Sequence, residues 1–358
     1  MKNYKVKHVE VLYIFFVTLS LIIFFFSTTK LEAKSFDVNN IEISRPFEIN
    51  FNKNEVIDEG FKKGFLELLS LIVNSNDQKR IKNVKLNEIK ATIESFTIKE
   101  EKFIDEIYYV NLGVSFNKKK IYKYLELNNI FPSIPKKKNF LFIPIIIDEN
   151  EKDLLIFSKN KIFKDWNNYT EKFHLINYIL PTEDLEDINI IKAKYENIEE
   201  YDFREILEKY VLDNSIIVLI FKNEKNVRIL SRISIKNNVI LKNNSFIDID
   251  IKNDDEVKNL IKELKLIYED FWKSSNQINT SIKLVLKIKV DNSNNDKISR
   301  FEKILDKTDL IYDFYISKLD KDFTFYQIIF NGTTNEFLKS MNEYEYNFDT
   351  QNKLWILK

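Results

Sequence analysis

Four carboxylates fall within five positions at Glu183, Asp184, Glu186 and Asp187, inside the stretch LPTEDLEDIN. Carboxylates that converge can act as acid and base, or hold a hard cation. Acid–base work also needs one carboxyl partly buried, so that its pKa moves away from its neighbour's. A helix start accounts for the same residues in another way. Pro181 closes the preceding apolar run, Thr182 can serve as N-cap, and Glu183 and Asp184 then fall in the first turn. There each favours the positive end of the helix dipole by roughly 0.3–1 kcal/mol. On this reading Leu185 and Ile188 face inward, and Glu186 and Asp187 stay outside. It needs no buried counter-cation, and it is the reading preferred from sequence.

The rest of the inventory is sparse. There are two histidines, His8 and His174, and no cysteine. Disulfides, thiolate metal sites, Cys nucleophiles and lipoprotein acylation are therefore excluded, and so is zinc held by His and Cys. His174 sits in an apolar run between Phe173 and Leu175, where a lone histidine reads as a packing residue. Ser158 and Lys159 are adjacent, so on an extended chain they point to opposite sides and form no dyad. The four glycines, Gly60, Gly64, Gly113 and Gly332, fit neither phosphate-loop pattern. No catalytic, cofactor-binding or metal-ligating residue is assigned, and no cofactor is expected.

The elements that would position such groups follow from the whole chain. At 358 residues it is too long for one ordinary core, and two or three domains are expected. Basic and acidic side chains balance at 55 each, so there is no overall field for nucleic acid. Thirty Phe and 17 Tyr are spread through the periodic segments, which points to core packing and not to base stacking. Trp166, Trp272 and Trp355 fall on expected elements and read as core or interdomain anchors.

Residues 1–33 read as a signal peptide or an amino-terminal membrane anchor. Lys2, Lys5 and Lys7 precede an uncharged run, Val11 to Thr29, and Ala33 offers a small residue for cleavage. Leu31 is large for the position two residues earlier, and the apolar run is long enough to span a bilayer at about 1.5 Å per residue. Either way the lysines before the apolar run place the rest outside the cytoplasm, in the periplasm.

A small α+β domain is expected over 36–130. It would have a strand at Val38–Ser44 and a helix across Asn54–Val73. A short helix at LNEIKATIESF, two strands to Phe116 and a closing helix would follow. Gly60 and Gly64 share one helix face and imply a close backbone contact. A proline- and lysine-containing linker follows at 131–139. Residues 140–275 read as an α/β domain with a largely parallel sheet, because FLFIPIIID and SIIVLIF are apolar throughout. VRILSRISI and VILKNNSFIDIDI alternate and suggest an antiparallel meander beside it. Residues 280–358 show the order β-α-β-β-α-β, the ferredoxin-like pattern.

The chain resembles the DUF2066 family of bacterial exported or membrane-associated proteins. The likeness runs from about residue 40 to the end. It is carried by DEGFKKGFLELLSLIV, YYVNLGVSFNKKKIYKYLELNNI and FLFIPIIID, then by Asp165–Trp166, LPTEDLEDI, YVLDNSIIVLIF and YEDFW. At fold level the middle domain is similar to the α/β module of envelope proteins such as TolB and the curli-secretion lipoprotein. The resemblance implies an extracytoplasmic protein and transfers no catalytic residue. The expected function is a non-enzymatic envelope protein acting through protein–protein contacts, in envelope assembly or maintenance. Its partners are then unknown envelope proteins, with no nucleic acid, and membrane contact comes only through residues 11–29 if they are retained. Two other readings stand beside it: a carboxylate-dependent hydrolase or metal-dependent enzyme using 183–187, and a membrane-tethered sensor or scaffold.

Overall fold

The computed structural model describes residues 36–236 and 238–358. The segment 1–33, with its apolar run at 11–29 and His8, lies outside them. The described chain is a mixed α+β structure built on three sheets.

The first sheet has the order β1-β3-β2 and is antiparallel throughout. Its strands are β1 (Asp37–Pro46), β2 (Ile93–Ile104) and β3 (Ile107–Phe116). Between β1 and β2 come α1 (Lys53–Ile72), α2 (Ser75–Arg80) and α3 (Leu86–Thr92), and α4 (Lys118–Leu127) follows β3. Asn52 caps α1 by accepting from the Asn54 N–H at 3.0 Å. Phe61, Phe65, Leu68 and Ile72 recur at helical spacing and are buried against the sheet. The two glycines do press on it: a methyl group at Gly60 would lie 2.3 Å from Leu112 Cδ1, and one at Gly64 2.7 Å from Ile41 Cδ1. Helix α2 is an addition to the expected elements, started by Asn74, which accepts from the Asp77 N–H.

Segment 131–139 crosses to the next sheet and is tied at several points. The Ser133 N–H donates to Ile72 O at 2.6 Å, the Ile134 N–H to Asn276 O at 3.0 Å, and Trp272 Nε1 to Lys136 O at 2.7 Å.

The second sheet contains β4 (Lys138–Asp148), β5 (Asp153–Leu155), β6 (Ile176–Ile179), β7 (Asn214–Asn223), β8 (Asn226–Ile235) and β9 (Asn238–Phe246). Its order is β5-β4-β7-β8-β9, with β6 also paired to β4. Only β6-β4-β7 run parallel; β5, β8 and β9 are antiparallel to their neighbours. The sheet is therefore mixed and not largely parallel. An all-apolar strand reports burial on both faces, and that burial is met here with only two parallel pairings. One face carries Phe140, Phe142 and Ile146 under the long helix α8 (Asp254–Ser275). The other carries Leu141, Ile143, Ile145 and Ile147 under α6 (Leu185–Ala193) and α7 (Arg204–Leu207). A short α5 (Lys161–Asp165) precedes Trp166. Within DFREILEKYVL only the four residues of α7 form an α-helix. Phe203 enters it in the left-handed region (φ 58) to bury its ring beside Tyr201.

The third sheet has the order β11-β12-β10-β14-β13. Its strands are β10 (Leu284–Asp291), β11 (Ile311–Leu319), β12 (Phe323–Phe330), β13 (Phe348–Asp349) and β14 (Leu354–Leu357). Helices α9 (Asn295–Lys307) and α10 (Thr334–Asn342) complete it. A direct return from β12 through a helix would bring the last strand in antiparallel to β10. Instead the chain spends that direction on the two-residue β13, turns, and lays β14 parallel to β10. Trp166, Trp272 and Trp355 are all buried, as expected of core residues. No helix among the described residues is long and apolar enough to cross a membrane.

Candidate functional site

The acidic stretch begins a helix, but in a different register from the one expected. Asp184, not Thr182, is the N-cap of α6, and its carboxylate accepts from the Glu186 N–H at 2.9 Å. Moving the cap two residues along turns the helix face by about 200°. Leu185 is therefore exposed (77%), while Asp187 points inward and is fully buried. Thr182 instead donates its N–H to Tyr210 Oη at 3.0 Å.

Three of the four carboxylates meet one ammonium group. Lys209 Nζ lies 2.6 Å from Asp187 Oδ1, and 3.2 Å from both Asp184 Oδ2 and Glu186 Oε2. The fourth, Glu183, turns away and accepts from Ser158 Oγ at 2.9 Å, so Ser158 makes no pair with Lys159. Bonding to Asp187 first, then to Asp184 and Glu186, raises the Lys209 pKa above its ordinary value. An amine held so firmly protonated is a poor base and a good counter-ion. Asp187 Oδ2 is buried with no hydrogen-bond partner among the described residues. Among those residues no three His, Asp or Glu side chains are placed to hold a metal ion. At the carboxylates the central position is taken by Lys209.

A second polar cluster was not singled out from sequence. Lys265, Glu269 and Lys273 lie four apart along α8, and each is under 4% exposed. Glu269 accepts from the Leu175 N–H and the Ile176 N–H, both at 2.9 Å, and so fixes the start of β6. Lys265 Nζ lies over the rings of Trp166 (5.4 Å) and Tyr178 (5.3 Å). Burial pulls the Lys265 pKa down to about 8, against the attraction of Glu269 and Glu171. The signal was present in the spacing. The three charges flank Ile261, Tyr268 and Trp272, which is the stripe of α8 that must face the core.

His174 belongs to this cluster. It precedes β6 instead of lying inside a strand, and its Nδ1 accepts from the Glu171 N–H at 3.2 Å. Burial, then Lys265 and Lys273, hold its pKa down at about 4, so it is neutral at physiological pH. A groove lined by residues of neither cluster lies elsewhere on the described chain. It encloses about 830 Å3 beside the start of α1, between Arg45, Glu48, Glu55, Asp58 and Lys62. Arg45 there pairs with Glu59 at 2.7 Å across its rim.

Compared with known proteins, the chain matches no family model, and no curated protein is significantly similar to it.

Proposed function

We propose that this is an exported envelope protein of DUF2066 type that acts by binding other proteins outside the cytoplasm. One observation carries the reading. Each of the three sheets ends on an edge strand with large apolar side chains in solvent. On β9 these are Val239, Ile240 and Leu241 in succession, on β2 Phe96, Ile98 and Phe103, and on β11 Tyr315, Ile316 and Leu319. Soluble proteins usually blunt such edges with charge, proline or a covering segment, because a bare edge recruits another strand. Strand β9 carries a single charge, Lys242, and no proline.

The finer folds belong to the same proposal. The strand order β11-β12-β10-β14 supports a ferredoxin-like reading of 280–358, with its last strand reversed. The two-sided core of 140–275 supports the analogy with the TolB amino-terminal module, and 36–130 is read as a separate α+β domain joined through 131–139.

The test places a photo-crosslinking residue at Val239 and a control at Lys262 in the exported protein. A reproducible adduct with one envelope protein from Val239 and none from Lys262 is expected, and Ile240→Lys should remove it. No adduct from Val239, nor from Phe103 or Tyr315, would sink the proposal.

The carboxylate-enzyme reading keeps one supporting observation, the unpartnered buried oxygen of Asp187. It requires that Asp184→Asn with Asp187→Asn abolish function in a folded protein. The tethered-scaffold reading turns on residues 11–29, and a mature chain starting at Lys34 excludes it.

A further inference from the structure

The buried row on α8 is unbalanced in charge and in hydrogen bonding. Lys265 and Lys273 bring two ammonium groups and Glu269 one carboxylate, all under 4% exposed. Glu269 has both oxygens engaged by the N–H groups of Leu175 and Ile176. The hydrogen-bond contact of Lys265 Nζ is Thr170 Oγ1 at a long 3.4 Å. That hydroxyl itself donates to Asn167 O at 3.1 Å.

The two rings against the amine each carry a further donor. Trp166 Nε1 and Tyr178 Oη are both buried, and neither has a partner among the described residues. An ammonium group offers three donors and an indole one, and neither accepts. Donors therefore outnumber acceptors around one buried positive charge. Unmet buried donors are costly, and their clustering marks a place that an acceptor would complete.

We propose that a small free carboxylate anion binds beside Lys265 Nζ, its oxygens accepting from the ammonium group, Trp166 Nε1 and Tyr178 Oη. Phe142 stacks on Trp166 at 3.8 Å and Tyr268 tilts against it at 6.2 Å, so aromatic walls back the site. Exposed Thr170, 3.4 Å from the amine, places the site one residue beneath the surface.

Formate is the probe, titrated at constant ionic strength into the full chain and followed by the NMR signals of the indole N–H groups. The Trp166 signal, identified by its loss in Trp166→Phe, is expected to move saturably while those of Trp272 and Trp355 stay. Tyr178→Phe keeps the ring, removes one donor, and should weaken formate binding about 5- to 10-fold, the worth of one hydrogen bond. Lys265→Met should abolish the movement. A water molecule meeting the same donors gives no formate-dependent movement, and that result overturns the proposal. Movement that persists unchanged in Lys265→Met overturns it as well. Should Lys265→Met fail to fold, Tyr178→Phe decides, and unchanged affinity there overturns the proposal.

Discussion

Lys209 does at the start of α6 what a metal ion would otherwise have to do. Asp187 is fully buried, and the ammonium group 2.6 Å away is its counter-charge. Asp184 and Glu186 meet the same group from more exposed positions. These three contacts are unequal. Exposed ion pairs contribute little because water screens them, whereas removing one partner of a buried pair strands a charge. Lys209→Met is therefore expected to lower the urea midpoint clearly, and Glu186→Gln to leave it nearly unchanged. Adding Asp187→Leu to Lys209→Met should recover part of the loss, because no charge is then left behind. Equal midpoints for Lys209→Met and Glu186→Gln would refute this account of the cluster. The partnership was not visible in the sequence for a concrete reason. Both Thr182 and Asp184 are good caps, the choice between them decides which side chain turns inward, and Lys209 follows 22 residues after Asp187 with no periodic relation to it.

Single elements were more legible than their pairings. Helices α1 and α8 announce themselves by apolar residues at helical spacing, and β4 and β7 by unbroken apolar runs. The runs report burial on two faces, which a mixed sheet supplies as well as a parallel one, so the antiparallel pairing of β5 could not be read, whereas the alternation of β8 and β9 did announce their antiparallel meander. The glycine pair in α1 was readable because only a missing Cβ explains two glycines on one helix face. Its consequence is measurable. Gly60→Ala gains about 1 kcal/mol in helix propensity. The new methyl group would sit 2.3 Å from Leu112 Cδ1, inside the fully buried face of β3. Overpacking of that kind costs roughly 1–3 kcal/mol, so a net loss of up to about 2 kcal/mol is expected from urea unfolding. A variant more stable than the parent would mean that α1 does not press on β3 as described.

At the scale of the whole molecule, the three sheets are joined by polar contacts, and buried lysines link stability to pH. Lys118 of α4 donates to Thr308 O at 2.8 Å, at the end of α9 beside the third sheet. Asp270 of α8 accepts from the Ser75 N–H and from Ser75 Oγ, joining the long helix to the start of α2. Burial pulls the Lys118 pKa down to about 8, opposed by Asp309 and Asp306, and Lys265 is likewise held at about 8. An unfolded lysine titrates near 10.4, so between pH 8 and 10 the unfolded chain binds more protons than the folded one. Stability must then rise with pH across that window. Above pH 10 the tyrosines act in the opposite sense. Burial and the bond to Glu101 push Tyr108 up to about 12, so there the folded state holds the extra proton and stability falls. On the acid side His174, held at about 4, is neutral when folded, while an unfolded histidine near 6.5 takes up a proton, so stability falls as pH drops from 6.5 to 4. The urea midpoint should accordingly climb from pH 8 to about 10 and decline beyond it. Lys118→Met should remove part of the climb, since burial lowers its pKa as it does those of Lys265 and Lys273, and one of these contributions is then gone. A midpoint flat between pH 8 and 10 in the parent protein would show that these amines reach water in the folded state.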